Sequence, residues 1–106
     1  MDNYLEELLD LIKTKKNNDP TTSYTALLHS KGLNEILKKI GEESTETIIA
    51  AKSDDNEDLV YEIADLWFHC LILLSEKNLK VEHIIRELKR RSGTSGIEEK
   101  NSRKIK

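Results

Sequence analysis

Apolar residues recur along this chain at steps of three and four, and almost nowhere in strict alternation. That pattern predicts helices and no strand of useful length. Leu5, Leu8, Leu9 and Ile12 mark a first amphipathic helix. Asp2 or Asn3 is available as its cap, and Lys13, Lys15 and Lys16 suit the negative end of its dipole. Asn17-Asn18-Asp19-Pro20 then breaks it. Thr21, Thr22 and Ser23 offer hydroxyl caps for a short helix over 24–30, which Gly32 ends. Leu33, Ile36, Leu37 and Ile40 open a longer helix that closes near Ala51. Ser53-Asp54-Asp55-Asn56 reads as a loop and N-cap together, with Glu57 and Asp58 in the first turn, where the dipole favours acid. A long helix follows to about Glu76, Asn78 is a C-terminal breaker, and Val81, Ile84, Ile85 and Leu88 mark a last amphipathic helix. The expected class is all-α, a bundle of about four to five helices.

The long helix departs from the amphipathic pattern. Positions 59–74 read LVYEIADLWFHCLILL, apolar on nearly every side. A helix of that kind belongs inside a bundle or an oligomer, so the bundle is expected to be completed by dimerisation. Its polar exceptions, Glu62, Asp65 and His69, form one stripe. Upstream, Glu43 and Glu46 also share a helical face, and Glu42 precedes them. Glu-rich faces are commonly just solvated, and Glu42, Glu43 and Glu46 alone would be read that way. Glu62 and Asp65 inside an apolar run change the balance, because buried like charges need a compensating cation or proton. Two helices packed on these faces would aim Glu43, Glu46, Glu62 and Asp65 at one spot. An all-oxygen donor set suits Mg²⁺, with Mn²⁺ as the other candidate, and Mg²⁺ commonly accompanies phosphate-bearing substrates. Gly41, costing up to ~1 kcal/mol relative to Ala in a helix, suggests a close backbone approach. Lys38 and Lys39 sit one turn before the acids, able to balance them or to meet a phosphate.

Composition narrows the rest. With 106 residues the chain is one domain, 1–106, with a basic tail over about 92–106. A formal net charge of −3 argues against a general nucleic-acid binder. No apolar run is long enough to span a bilayer, the N-terminus does not read as a signal peptide, and the expected compartment is the cytoplasm. Cys70, the single cysteine, falls in the apolar run and is expected to be a reduced core residue. Ser23 and Tyr24 are expected to be a cap and a packed aromatic, and His29 a surface residue. Ser92-Gly93-Thr94-Ser95-Gly96, flanked by cations, has the accessible backbone of a phosphate cradle, a weak signal on its own.

These residues together resemble a known family. Glu42-Glu43-x-x-Glu46 followed by Glu62-x-x-Asp65 is similar to the signature of the all-α, MazG-like nucleoside-triphosphate pyrophosphohydrolases. Ser23-Tyr24-Thr25-Ala26-x-Leu28, Lys39-x-Gly41-Glu42-Glu43 and Ser95-Gly96-x-x-Glu99-Lys100-x-x-Arg103 narrow the resemblance to the phosphoribosyl-ATP pyrophosphohydrolases. It runs from about Ser23 to Arg103. The resemblance implies Mg²⁺-dependent hydrolysis of phosphoribosyl-ATP to phosphoribosyl-AMP and pyrophosphate, the second step of histidine biosynthesis, by a helical homodimer. It implies metal ligation by Glu43, Glu46, Glu62 and Asp65, with Glu42 as a supporting ligand or base. Lys39, Ser95, Lys100 and Arg103 fall on motif positions expected to meet the substrate. Trp67-Phe68 before His69 departs from the family pattern of a smaller aliphatic and a Tyr, a change expected to affect packing. Two rival readings share the carboxylates: a house-cleaning pyrophosphohydrolase for other nucleotides, and a non-catalytic helical dimerisation module. A ferritin-like site would instead want Glu-x-x-His, where this chain has Asp65.

Overall fold

A computed structural model describes residues 3–93 together with Gly96, Ile97, Lys100 and Asn101. Five helices run in order: α1 (Tyr4–Lys15), α2 (Tyr24–Lys31), α3 (Leu33–Lys52), α4 (Asn56–Glu76) and α5 (Val81–Ser92). No strand occurs among the described residues, and the all-α expectation holds.

The ends of the helices follow local chemistry. At the start of α2, Ser23 Oγ accepts a hydrogen bond from the Ala26 N–H at 3.1 Å, and Asp55 Oδ1 accepts from the Asp58 N–H at 3.1 Å at the start of α4. Each satisfies one of the amides left without a helical partner. Asn3 stands before α1, but its side chain makes no capping bond. Helix α4 ends with Asn78 at φ 57°. The Asn78 N–H reaches the Ser75 carbonyl at 3.2 Å, and the Leu79 N–H reaches that of Leu74 at 2.8 Å. This is the Schellman pattern, with Asn in the left-handed position usually held by Gly.

Helices α3 and α4 form the most extensive pairing in the bundle, an antiparallel hairpin turning at residues 53–55. Asp54 takes φ 64° in that turn, a conformation Asp tolerates better than most residues. The core lies at the end of the hairpin remote from the turn. There Ile36 of α3 and Leu71 and Ile72 of α4 meet Leu9 and Ile12 of α1, Leu28 of α2 and Val81 of α5.

Toward the turn the hairpin has no cover. Ile48 and Ile49 of α3 are each 63% exposed, and on α4 Val60 and Tyr61 are 68% and 66% exposed; Trp67, 56% exposed in the middle of α4, lines a groove with Tyr4, Leu5, Val81 and Ile85. The apolar helix therefore buries one side in its own chain and leaves the other bare. Cys70 belongs to the bare side: it is exposed, contrary to the core position expected of it. Periodicity cannot distinguish the two sides of a helix that is apolar all round. Gly41 also differs from expectation, because an added Cβ there would meet nothing within 4 Å. His29, expected at the surface, is half-buried, its Nδ1 donating to the Thr25 carbonyl (2.8 Å) and its Nε2 accepting from the buried Ser75 hydroxyl (3.1 Å).

Candidate metal centre

An antiparallel hairpin sets residues equally distant from its turn opposite one another. Glu46 and Glu62 are equidistant from Asp54, and so are Glu43 and Asp65. The register of α3 against α4 thus turns two carboxylate pairs, each one helical turn apart, into a cluster. Glu43 is its centre. Oxygens of Glu43, Glu46 and Glu62 lie within 4.8 Å of one another. Donor atoms of Glu43, Asp65 and His69 make a second group within the same limit. The four predicted ligands meet through Glu43 as two overlapping groups rather than as one knot.

Glu43 is only 7% exposed. Burial, with Asp65 and Glu46 crowding it, pushes its carboxyl up to about 8. Burial and the Glu46 charge also raise Glu62. The Oε2 of Glu43 and the Oε1 of Glu62 are buried with no hydrogen-bond partner; Oε1 of Glu76, at the far end of α4, is in the same condition. Buried carboxylate oxygens normally find a donor. Two that lack one, inside a group of like charges, fit a hard divalent cation well.

The remaining candidates are placed around this centre. Glu42 is exposed and outside both groups, and it pairs with Lys39 at 3.5 Å. The neighbouring Tyr24 holds the Lys39 ammonium above its usual range. Lys100 is helical and exposed. Ser95 and Arg103 lie outside the described residues.

The part played by Tyr24, and its link to His69, were not legible in the sequence. The His69 side chain is buried and bonds through Nε2 to the Tyr24 hydroxyl at 2.7 Å and through Nδ1 to the Asp65 carbonyl at 2.8 Å. Tyr24 is therefore more than a packed aromatic. The polar stripe pointed at His69, but its link to a residue in α2 depends on how the helices pack. The departure at Trp67-Phe68 is a matter of packing in this chain: Phe68 sits against the core and edge-on to His69, while Trp67 faces outward.

An all-α bundle whose longest hairpin gathers carboxylates from both arms, with a buried oxygen of Glu43 and of Glu62 lacking a partner, defines the class: a helical protein with an acidic cluster that could hold a cation. The chain belongs to the family described as phosphoribosyl-ATP pyrophosphohydrolase, whose sequence profile matches residues 5–92. The match begins before Ser23 and stops short of the Ser95 to Arg103 motif. It is 52% identical over 101 residues to a phosphoribosyl-ATP pyrophosphatase of Methylococcus capsulatus, covering 95% of this chain and 96% of that one. A protein of the same name from Nitrosomonas eutropha is 52% identical over 99 residues, 93% of this chain and 85% of its own length. One from Vesicomyosocius okutanii is 50% identical over 103 residues, 97% and 98% of the two chains.

Proposed function

We propose that this chain hydrolyses the α–β phosphoanhydride of phosphoribosyl-ATP, releasing phosphoribosyl-AMP and pyrophosphate, with Mg²⁺ or Mn²⁺ held by Glu43, Glu46, Glu62 and Asp65. The substrate is taken from the names of its relatives, and with it the place in histidine biosynthesis. The observation that carries the chemistry is the pair of orphaned, buried carboxylate oxygens of Glu43 and Glu62. When bound, divalent cations supply charge neutralisation on the phosphates and a water acidic enough to be activated near neutral pH.

The chain's own residues do the rest. Glu43 and Asp65, opposite each other across the hairpin, mark the cluster over which the anhydride would lie, and Glu46 and Glu62 extend it toward the turn. Glu46 is the more exposed of these two, which suits a carboxylate that also accepts a proton from the attacking water. Glu42, turned toward Lys39, is the other candidate base. Lys39 carries a positive charge beside Glu42, and Lys100, Ser95 and Arg103 are assigned to the phosphates of the substrate. A site that aligns water, phosphorus and leaving group needs little further covalent chemistry from the protein.

The bare apolar side of α3 and α4, with Ile48, Ile49, Val60 and Tyr61, supports a homodimer paired through these helices. No described helix is long and apolar enough to cross a membrane. A highly charged nucleotide substrate argues for a reaction in the cytoplasm.

The test is pyrophosphate release with Mg²⁺, offering phosphoribosyl-ATP beside ordinary and damaged nucleoside triphosphates. The expected result is strong preference for phosphoribosyl-ATP, lost on chelation. Glu43→Gln and Asp65→Asn should each abolish the activity while leaving far-UV helicity intact. Preference for another triphosphate would reject the substrate, and full activity in either variant would reject the carboxylate assignment.

A further inference from the structure

His69 is 2% exposed, yet both of its ring nitrogens are engaged. Nδ1 lies 2.8 Å from the carbonyl oxygen of Asp65, one turn back in α4, and a carbonyl oxygen can only accept. The Asp65 carboxylate lies 3.6 Å from the same nitrogen; with the imidazole carrying one proton, that N–H is on Nδ1 and Nε2 is an acceptor. The Tyr24 hydroxyl, 2.7 Å from Nε2, must donate to it. That commits the only hydrogen the phenol has. Its oxygen keeps its remaining lone-pair capacity, so toward the solvent it can accept and cannot donate. The two rings stand edge to face, centroids 5.7 Å apart at 86°, which helps fix the phenol's direction.

This fixed acceptor stands beside the carboxylate cluster, one hydrogen bond from His69, whose donor atom groups with those of Glu43 and Asp65. Lys39, Asp65, Glu43 and Glu35 are the charges that act on Tyr24, and the residue is 45% exposed. The same bonds argue against His69 as a ligand, although it falls within reach of Glu43 and Asp65. One nitrogen carries the proton and the other serves Tyr24.

We infer that Tyr24 is a substrate-contacting residue whose phenol oxygen, aimed by the positioning residue His69, accepts a hydrogen bond from a sugar hydroxyl of the bound nucleotide. Phosphate oxygens offer no hydrogen to such an acceptor. The sugar is the donor-bearing part of a nucleotide next to its phosphates, so phosphates over the carboxylates bring a sugar near this acceptor. The inference rests on the nucleotide-hydrolase reading above and adds a basis for recognising more than the anhydride.

Tyr24→Phe keeps the ring and removes only the oxygen. At saturating Mg²⁺ its KM for phosphoribosyl-ATP should rise about three- to tenfold with kcat within about twofold, the scale of one lost hydrogen bond. Inhibition by magnesium pyrophosphate, which has no sugar, should stay unchanged. His69→Gln, whose amide oxygen can still accept from Tyr24, should remain near the parent; His69→Leu should reproduce Tyr24→Phe without adding to it in the double variant. If His69→Leu does not fold, Tyr24→Phe decides alone. An unchanged KM in Tyr24→Phe overturns the inference. So does an equal weakening of pyrophosphate inhibition, which would put Tyr24 on the phosphates. Were the parent to reject phosphoribosyl-ATP but cleave another triphosphate, the substrate reading would fall, and the same comparison on that nucleotide would still decide Tyr24.

Discussion

Glu43 stands between two sets of acids with most of its water removed, and its carboxyl is pushed up to about 8 from an ordinary value of 4.5. The sign of the stability effect follows. Between those two values the unfolded chain has released this proton while the folded chain still holds it, so raising the pH favours unfolding. The raised carboxyl of Glu62 acts in the same direction. Without divalent cations, the melting temperature should fall as pH rises from about 5 to 8. Glu43→Gln, with no proton to lose, should flatten that fall, and Mg²⁺ should restore the parent at pH 8. Thermal melts across this range, with and without Mg²⁺, are the check; a parent that grows more stable toward pH 8 without metal would contradict the description of Glu43. Spacing alone revealed that Glu43 pairs with Glu46, and Glu62 with Asp65. It did not reveal that Glu43 would be the most enclosed of the four, because burial depends on what α4 lays over it.

Among the elements, α2 and α4 show what patterning can and cannot deliver. Ser23, Asp55 and Asn78 act where short-range chemistry placed them, at two caps and a helix stop. Their partners lie within a few residues. Cys70, His29 and Tyr24 differ from the pattern's expectation because the packing of other helices decides their surroundings: Cys70 is left exposed, while His29 meets Ser75 and Tyr24 meets His69 across the bundle. Gly41 belongs at this scale too. Nothing in the chain lies within 4 Å of the position an added Cβ would take, so Gly41→Ala should stabilise α3 by up to ~1 kcal/mol through helix propensity. Denaturant melts give the answer, and a loss of stability would mean that a neighbour absent from the single chain approaches this position.

For the whole molecule, the Cα radius of gyration is 16.1 Å, against roughly 13 Å for a compact chain of this length. The excess agrees with a hairpin whose turn end has no cover. Ile48, Ile49, Val60 and Tyr61 would be costly to leave in water. The all-apolar run in α4 raised the expectation of a partner, and the proposed homodimer would cover the exposed Ile48, Ile49, Val60 and Tyr61, a patch that periodicity does not pick out. Val60→Asp should shift the protein from dimer to monomer in sedimentation velocity and lower its melting temperature. A parent that sediments as a monomer would contradict the homodimer.

Glu43, Glu46, Glu62 and Asp65 are proposed to hold cations across the α3–α4 hairpin, in the two groups that Glu43 joins. Equilibrium binding of Mn²⁺, followed by the loss of its free-ion electron paramagnetic resonance signal, tests this without turnover. The parent should bind Mn²⁺ in competition with Mg²⁺, and Glu43→Gln and Asp65→Asn, folded by far-UV circular dichroism, should each weaken binding at least tenfold. Unchanged binding in both variants would mean that the carboxylates gathered by the hairpin are not where the metal sits.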